Sequence, residues 1–403
     1  MAKKILILAG THFQIPVIEY SKRMGHHVIT CDNRPSNPGH QFADEYYNVS
    51  TTDIKGVVDL AIAKNIDAVL VYGSDPAAIT AACVSEQLNL PGNSYESVSV
   101  LSDKGLFRKF LKDNGFPAPV YGVFKSYNKA YAFFSDTGKT CFVKPVDSSG
   151  SKGISKLNPG DVLKPALDYA MQFSRKREII IEEKIERKGP HIHGEAFVLN
   201  GELIFLMLGD QYFSQVTVTA PMSTTVPSIF HADIMQDITN ELIKIIKLIG
   251  YSSGGLNIEI IRGQNNKIYF NEIGARNGGN FMPDLVSMAT GFKMVAANVN
   301  AVLGEPVDIK YKYPEQNYYT QLILHSHDNG VYNGNNLPYE FNTNLIFRKE
   351  YFNIGDYVHT YKDSRHVIGV YLYEFQQKGK CLDFINYIQM NKIIKLGMSD
   401  DKF

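Results

Sequence analysis

Over the first hundred residues, apolar and polar positions fall into alternating blocks. "KKILILA" (Lys3–Ala9), "HHVITCD" (His26–Asp32) and "IDAVLVYG" (Ile66–Gly73) are short apolar runs with polar or glycine borders, the pattern of buried parallel strands. Pro16–Met24, Ile54–Lys64 and Pro76–Leu88 read as helices, the first stopped by Gly25. Strand and helix in alternation predict an α/β unit with a doubly wound parallel sheet. Ser102–Gly115 predicts a further helix, with Ser102 as N-cap, Gly115 at its C-terminal stop, and "FPAP" (Phe116–Pro119) ending it.

The pattern then changes. Strand-like runs follow one another directly: "TCFVKPV", "REIIIEEKI" and "GEAFVLNGELIFLML", the last with a hairpin signal at Asn200-Gly201. Asp233–Leu248 predicts an amphipathic helix, apolar at Ile234, Ile238, Leu242 and Ile245, and Leu256–Ile273 a second hairpin. This is an α+β region built on antiparallel sheet. After Pro306 come aromatic, strand-prone runs ("YYTQLILHSH", "YVHTY", "HVIGVYLYEF"), a helix over Cys381–Gln389 and "KIIKL". The expected organisation is an α/β unit over 1–101, an α+β unit over 102–310 with a lid at about 117–186, and a small β-rich unit over 311–403.

Composition narrows the function. The 403 residues carry 41 basic and 41 acidic side chains, which argues against a nucleic-acid binder working by bulk charge. No apolar run approaches a membrane span, and the run in "MAKKILIL" is too short for a signal peptide. Cys31, Cys83, Cys141 and Cys381 are scattered without CxxC spacing, so buried reduced thiols in a cytoplasmic protein are expected.

Three stretches carry candidate chemistry. In "CFVKPVDSSGSKGISKL" (Cys141–Leu157) an apolar strand ends in a Gly/Ser loop flanked by lysines. Free backbone N–H groups, hydroxyls and ammonium groups make an anion cradle. It is not a Walker loop, since GxxxxGK[ST] is absent. An ordinary mobile hairpin loop explains it equally well until Lys144 is considered. On an apolar strand, that lysine would be poorly solvated unless it faced an anion.

The second stretch is "LNIEIIRGQNNKIYFNEIGAR" (Leu256–Arg276). With Asn265-Asn266 as a two-residue turn, Gln264 faces Lys267, Ile261 faces Phe270 and Glu259 faces Glu272. Opposed side chains start roughly 5 Å apart, so the two carboxylates repel unless a divalent cation lies between them. Oxygen ligands favour Mg²⁺, or Mn²⁺. A bulge that separates the pair is the alternative. Arg276 can clamp a carboxylate or a transferring phosphoryl group, or form a surface ion pair. Gly278 and Gly279 beside it would admit a substrate close to backbone. The third stretch, "IIIEEKI" (Ile179–Ile185), suits the wall of an adenine pocket and equally a strand ending at the surface.

In this order, Lys104, Lys144 with its "DSSGSKG" loop, "EEKI", Glu259 and "NEIGAR" resemble the ATP-grasp superfamily, and "EIGARNGG" is closest to its carboxylate–amine ligases, including L-amino-acid ligases. The resemblance covers most of the chain. It implies an N-terminal pre-grasp domain, an ATP-grasp domain and a small C-terminal β domain. It also implies ATP and Mg²⁺ as cofactors, a small carboxylate and an amine as substrates, and a homodimer. By position, Lys104 and Lys144 would hold the phosphates. Ser148, Ser149, Gly150, Ser151, Lys152 and Gly153 would fold over them. Glu182, Glu183 and Ile185 would line the adenine site, Glu195 would hold ribose, Glu259 and Glu272 would bind Mg²⁺, and Arg276 would contact an acyl phosphate. With Lys144, Arg276 would be the catalytic group.

Two departures stand out. Where the family places a metal-assisting Asn, two residues after the second Glu, this chain has Gly274. The stretch "KIERKGPHIHG" (Lys184–Gly194) is longer than usual, which makes Glu186 the substitute for Glu195. His191 and His193 within it are expected to be solvated loop residues. The substrate is expected where the loops "GTHFQ" (Gly10–Gln14) and "GSDPAA" (Gly73–Ala78) meet the grasp, near His12, Gln14 or Asp75, with Asn277, Gly278 and Gly279 opposite. A nicotinamide dehydrogenase is disfavoured, because "AGTHFQI" lacks GxGxxG. Within the superfamily, the alternative is a carboxylase or purine-biosynthesis type of enzyme using bicarbonate or formate.

Overall fold

The computed structural model describes residues 2–397. Met1 and residues 398–403, the outermost ends of the expected first and last units, lie outside the described residues.

The N-terminal part runs β1 (Lys4–Leu8), α1 (Ile15–Arg23), β2 (His27–Cys31), β3 (Glu45–Tyr47), α2 (Ile54–Lys64), β4 (Ala68–Val71) and α3 (Asp75–Leu88). Its sheet is parallel, in the order β3-β2-β1-β4. Side chains alternate across β1, as a buried strand requires. Leu6 and Leu8 pack against α2 and α3 through Val57, Ala61 and Val84. Ile5 and Ile7 face Val17 and Ile18 of α1, and also Val299, far along the chain. The second face of this sheet is thus completed by a distant segment.

Two helices lead out, α4 (Tyr95–Ser102) and α5 (Lys104–Asp113). Here the expected cap is corrected. Ser102 is the last residue of α4, and the extended Asp103 caps α5, its Oδ1 accepting from Leu106 N at 3.0 Å. The lid follows: β5 (Tyr121–Phe124), α6 (Tyr127–Thr137), β6 (Cys141–Pro145), β7 (Ser155–Leu157), α7 (Leu163–Phe173) and β8 (Ile179–Glu183), forming an antiparallel sheet in the order β5-β8-β6-β7.

The central strands are β9 (His191–Leu199), β10 (Glu202–Phe213) and β11 (Pro221–Val226), then α8 (Met235–Ile249), β12 (Gly254–Arg262), β13 (Ile268–Gly274), α9 (Met282–Thr290) and α10 (Met294–Leu303). Asn200 and Gly201 both take positive φ (52° and 78°) and close the β9–β10 hairpin as expected. The apolar stripe of α8 (Ile238, Leu242, Ile245) packs on Ile192, Leu208, Ile258 and Ile260 of the sheet. Helices α9 and α10 meet at 107°, and no single helix among the described residues is long and apolar enough to cross a membrane.

The last elements are β14 (Tyr318–Leu324), β15 (Gly330–Asn335), α11 (Tyr339–Asn342), β16 (Leu345–Glu350), β17 (Tyr357–Val358), β18 (Gly369–Phe375), α12 (Lys378–Met390) and β19 (Ile394–Gly397). A small sheet, β17-β15-β19, stands apart, while β14, β18 and β16 extend the central sheet into eight strands ordered β13-β12-β9-β10-β11-β14-β18-β16. Sheet hydrogen bonds therefore cross the expected 310/311 boundary. The four cysteines are free thiols, three of them buried.

Candidate active site

A cavity of about 600 Å³ lies between the lid sheet and the central sheet. Its lid side is charged and internally paired. Lys144, near the end of β6, sits against β8, where Lys144 pairs with Ile180 in register. Its Nζ donates to Glu182 Oε2 at 2.6 Å, while Arg108 Nε of α5 lies 2.8 Å from Glu182 Oε1. Burial opposes ionisation of Glu182, but the charges of Arg108 and Lys144 outweigh it and hold the carboxyl at about 2. Arg108 also donates to Asn271 O at 2.8 Å, tying α5 to β13.

The Gly/Ser loop lies down over the cavity. Lys104 Nζ donates to Ser148 O at 2.7 Å, Ser151 Oγ donates to Thr219 O at 2.6 Å, and Ser364 N donates to Gly150 O at 3.1 Å. Ser148 to Lys152 all line the cavity, whereas Gly153 packs against Phe173 and Pro145. Lys152 is largely buried, and that burial lowers its affinity for a proton.

On the opposite side, Glu259 and Glu272 are register partners across β12 and β13. The pairing is the expected one, reached by a different route. The turn is one residue longer, with Gly263 N bonding Lys267 O, so Ile260 and not Ile261 faces Phe270. A bulge between Glu259 and Ile260 then restores the register at the carboxylates. Ile260 and Phe270 belong to the core beneath the sheet, while Ile261 and Tyr269 line the cavity. Burial, and after it the Glu272 charge, raise the Glu259 carboxyl to about 7. Lys104 Nζ lies 3.6 Å from Glu272 Oε2.

Among the described residues no group of three or more Asp, Glu, His or Cys converges to hold a metal. The protein offers a cation these two carboxylates, and the remaining ligands would be phosphate and water oxygens. That donor set fits Mg²⁺ arriving with a nucleotide. Gly274 stands where the resembled family has Asn. A Cβ there would lie 3.2 Å from Asp75 Oδ1 and 3.4 Å from Arg276 Cζ, so an ion pair occupies the space of that side chain.

That pair bears on the expectation for Asp75. Arg276 Nε donates to Asp75 Oδ1 at 2.7 Å, Nη2 donates to the other Asp75 oxygen, and Nη1 to Asn277 O at 2.9 Å. Asp75 therefore faces the arginine, and it also lines a small pocket beside Lys104, Ser149 and Glu272. Arg276 and Gly279 line the cavity. Asn277 and Gly278 do not, because both serve Glu195. Glu195 is 0% exposed and accepts from Asn277 Nδ2 and Gly278 N at 2.7 Å each, and from Asn257 Nδ2 at 3.2 Å. A Cβ on residue 278 would come within 2.4 Å of its Oε1. Burial raises the Glu195 carboxyl to about 7. Glu195 thus holds the 277–278 loop from beneath and does not reach a ribose; Glu186 lines the cavity.

Gln14 is also structural. It is fully buried, its Oε1 accepts from Thr11 N at 2.7 Å, and its Nε2 donates to Tyr72 O. His12 stacks on Tyr351, ring centroids 5.1 Å apart, away from the cavity. Glu183 and Ile185 border the cavity, with Glu183 paired to Lys139 at 2.8 Å. His191 and His193 are not solvated loop residues. Both lie on β9 and line the cavity, and burial lowers them to about 3 and 4. Asn257 Nδ2 donates to His193 Nε2 at 2.7 Å, which leaves the ring proton on Nδ1, toward Thr224 Oγ1 at 3.1 Å. Arg108 and Asn257 were not anticipated. The one legible signal was an arginine between Phe107 and Leu111, on the apolar side of its helix.

Parallel N-terminal sheet, antiparallel lid and central sheets, and C-terminal strands closing over one cavity identify the architecture. This is the three-domain ATP-grasp fold. Residues 101–280 match the ATP-grasp domain by sequence. The chain is 28% identical over 194 residues to a formate-dependent phosphoribosylglycinamide formyltransferase of Burkholderia lata, 46% of this chain and 47% of the relative. It thus spans about half the length of the curated relatives it matches. In structure it resembles L-amino acid ligase from Bacillus licheniformis, with TM-score 0.79, 17% identity, and 98% and 99% of the two chains covered. It also resembles the biotin carboxylase domain of Hydrogenobacter thermophilus 2-oxoglutarate carboxylase, solved with MgADP, ADP and bicarbonate, with TM-score 0.74, 18% identity, and 98% and 91% covered. The likenesses span several activities and do not single out one branch.

Proposed function

We propose that this protein is an ATP-dependent carboxylate–amine ligase that releases ADP and phosphate. The observation that carries the reading is the Glu259–Glu272 pair. The two carboxylates are directly opposed, one is raised to about 7, and Lys104 stands 3.6 Å from the other under a loop already lying across the cavity. Such a pair is destabilising as it stands and is relieved by a cation carrying a polyphosphate. Bound there, Mg²⁺ would neutralise charge on the phosphates and orient them.

The chain's own residues divide the remaining work. Lys104 and Lys144 offset the charge that builds on the departing phosphate as a carboxylate oxygen attacks the γ-phosphorus. The Ser148–Lys152 loop keeps water from the resulting acyl phosphate. An amine then adds to the carbonyl, and phosphate leaves. Arg276, held by Asp75, presents a fixed cation to the oxyanion of that step. No side chain need serve as a covalent nucleophile. The likeness to a carboxylase domain solved with bicarbonate supports a second reading, in which bicarbonate is the activated acid.

An ADP-release screen of acids crossed with amines, with formate and bicarbonate arms, tests this. Release that requires both an organic acid and an amine is the expected result. Release with bicarbonate alone as the acid favours the second reading, and no release with any acid overturns both.

A further inference from the structure

The cavity wall formed by β9, β10, β11 and β14 has no task in the chemistry above. Its side chains align in a row across the strands, His191 opposite Gln211, Gln211 opposite Thr224, and Thr224 opposite Gln321. Gln211 is only 2% exposed, lines the cavity, and its amide makes no hydrogen bond to the protein among the described residues. Gln321 is equally buried; its Nε2 donates to Asn280 O at 2.5 Å, which leaves Oε1 free to accept. An amide that opens into a cavity without a protein partner is available to a ligand or to water.

The charge pattern restricts what that can be. The cations nearest the reacting groups come from other elements: Lys104 from α5, Lys144 from β6, Lys152 from the loop, and Arg276 from beyond β13. The four wall strands contribute no Asp, Glu, Lys or Arg side chain to the cavity. A phosphate or an extra carboxylate against this wall would lose its water and find cations only on other elements, Lys144, Arg187 and Arg276. A carboxamide or hydroxyl would meet groups able both to donate and to accept. Strands β10 and β14 flank β11, so the two residues stand roughly 10 Å apart at the backbone, and each amide can serve its own polar group of a ligand.

We propose that Gln211 and Gln321 form a specificity-determining subsite whose amides each hydrogen-bond an uncharged polar group of the substrate, such as a carboxamide or a hydroxyl, and which discriminates against substrates bearing a phosphate or a second carboxylate there. The proposal rests on the ligase reading only in treating the ligand as a substrate, and its test reads binding rather than turnover.

The experiment is a thermal-shift and calorimetric titration of the intact protein with Mg²⁺ and a non-hydrolysable ATP analogue. The ligands are amino acids matched in shape and differing in charge: asparagine with aspartate, glutamine with glutamate, serine with phosphoserine. At least one neutral member is expected to bind, its charged counterpart at least about tenfold more weakly. Gln211→Leu and Gln321→Leu should each weaken the neutral ligand by about tenfold, the scale of one buried hydrogen bond, with nucleotide affinity unchanged. The near-isosteric Gln211→Met and Gln321→Met repeat the test if a leucine variant misfolds, with the nucleotide-induced shift reporting the fold. Tighter binding of a charged member, no binding by any neutral member, or unchanged discrimination in the folded variants overturns the subsite. Failure of ADP release in the acid–amine screen sinks the ligase reading and leaves this binding result standing.

Discussion

Two carboxylates face the same cavity in opposite conditions. Glu182, on the lid sheet, is held between Lys144 and Arg108 and kept at about 2. Glu259, on the central sheet, looks across at Glu272 and is raised to about 7. Both are acids on antiparallel strands, and burial pushes both toward the neutral form. What differs is the neighbour, two cations against one anion. The lid half satisfies its carboxylate within the protein and keeps one net positive charge. The central half sets two carboxylates against Lys104, 3.6 Å from Glu272, and in this reading the remaining negative charge is what makes it a binding site.

Removing each acid should therefore have opposite consequences. Glu272→Ala is expected to cut ADP formation on the order of 10³-fold, since it removes half of the protein's cation ligands, while the thermal midpoint stays level or rises because a like-charge contact is gone. A fall of several degrees with activity retained would break the comparison. Glu182→Ala should instead cost about 3–5 kcal/mol of stability, because it strands Arg108 and Lys144 in the interior. Denaturation of the variant beside wild type measures this, and an unchanged midpoint would show that Glu182 is not what stabilises the two cations.

The pH dependence carries opposite signs. Glu259 has a folded value raised from the ordinary 4.5 to about 7. The folded state then holds a proton that the unfolded state has released, so this group's contribution to stability falls as pH rises from 4.5 to 7. Glu182, lowered to about 2, contributes stability that is complete above 4.5 and is lost as pH falls toward 2. Subtracting the Glu259→Gln profile from wild type should isolate the first slope; a flat difference between pH 4.5 and 7 would remove it. The smallest effect is expected at Lys139→Ala. It breaks an exposed pair with Glu183 and should change stability by less than about 1 kcal/mol.

The carboxylate pair was legible in the chain because hairpin register is a local matter. Even so, a longer turn and a bulge offset each other between Gly263 and Asn271, and the pairing survived by that cancellation. Lys144 was legible as an ammonium on an apolar strand, but its partner Glu182 was assigned to the adenine wall, since which acid a buried lysine meets depends on strand order. His191 and His193 were read as loop residues because proline, glycine and charge surround them. The β9 strand begins among those polar residues, since its first side chains face a cavity and not the core. Glu195, Asn277 and Gly278 were placed at a ligand, although they satisfy one another.

The order of residues alone determined what rests on neighbours a few positions apart: the β/α alternation, the hairpin at Asn200-Gly201, the Gly/Ser loop after a lysine-bearing strand, and two acids at facing hairpin positions. Tertiary structure decided which charges are already spent. Arg276 and Asp75 lie 201 residues apart, Arg108 and Asn271 163 apart, and Glu195 and Gly278 83 apart. Whether a polar side chain is free for a ligand depends on the other groups within about 3 Å of it, and at those separations along the chain only the packing of the sheets brings the groups together.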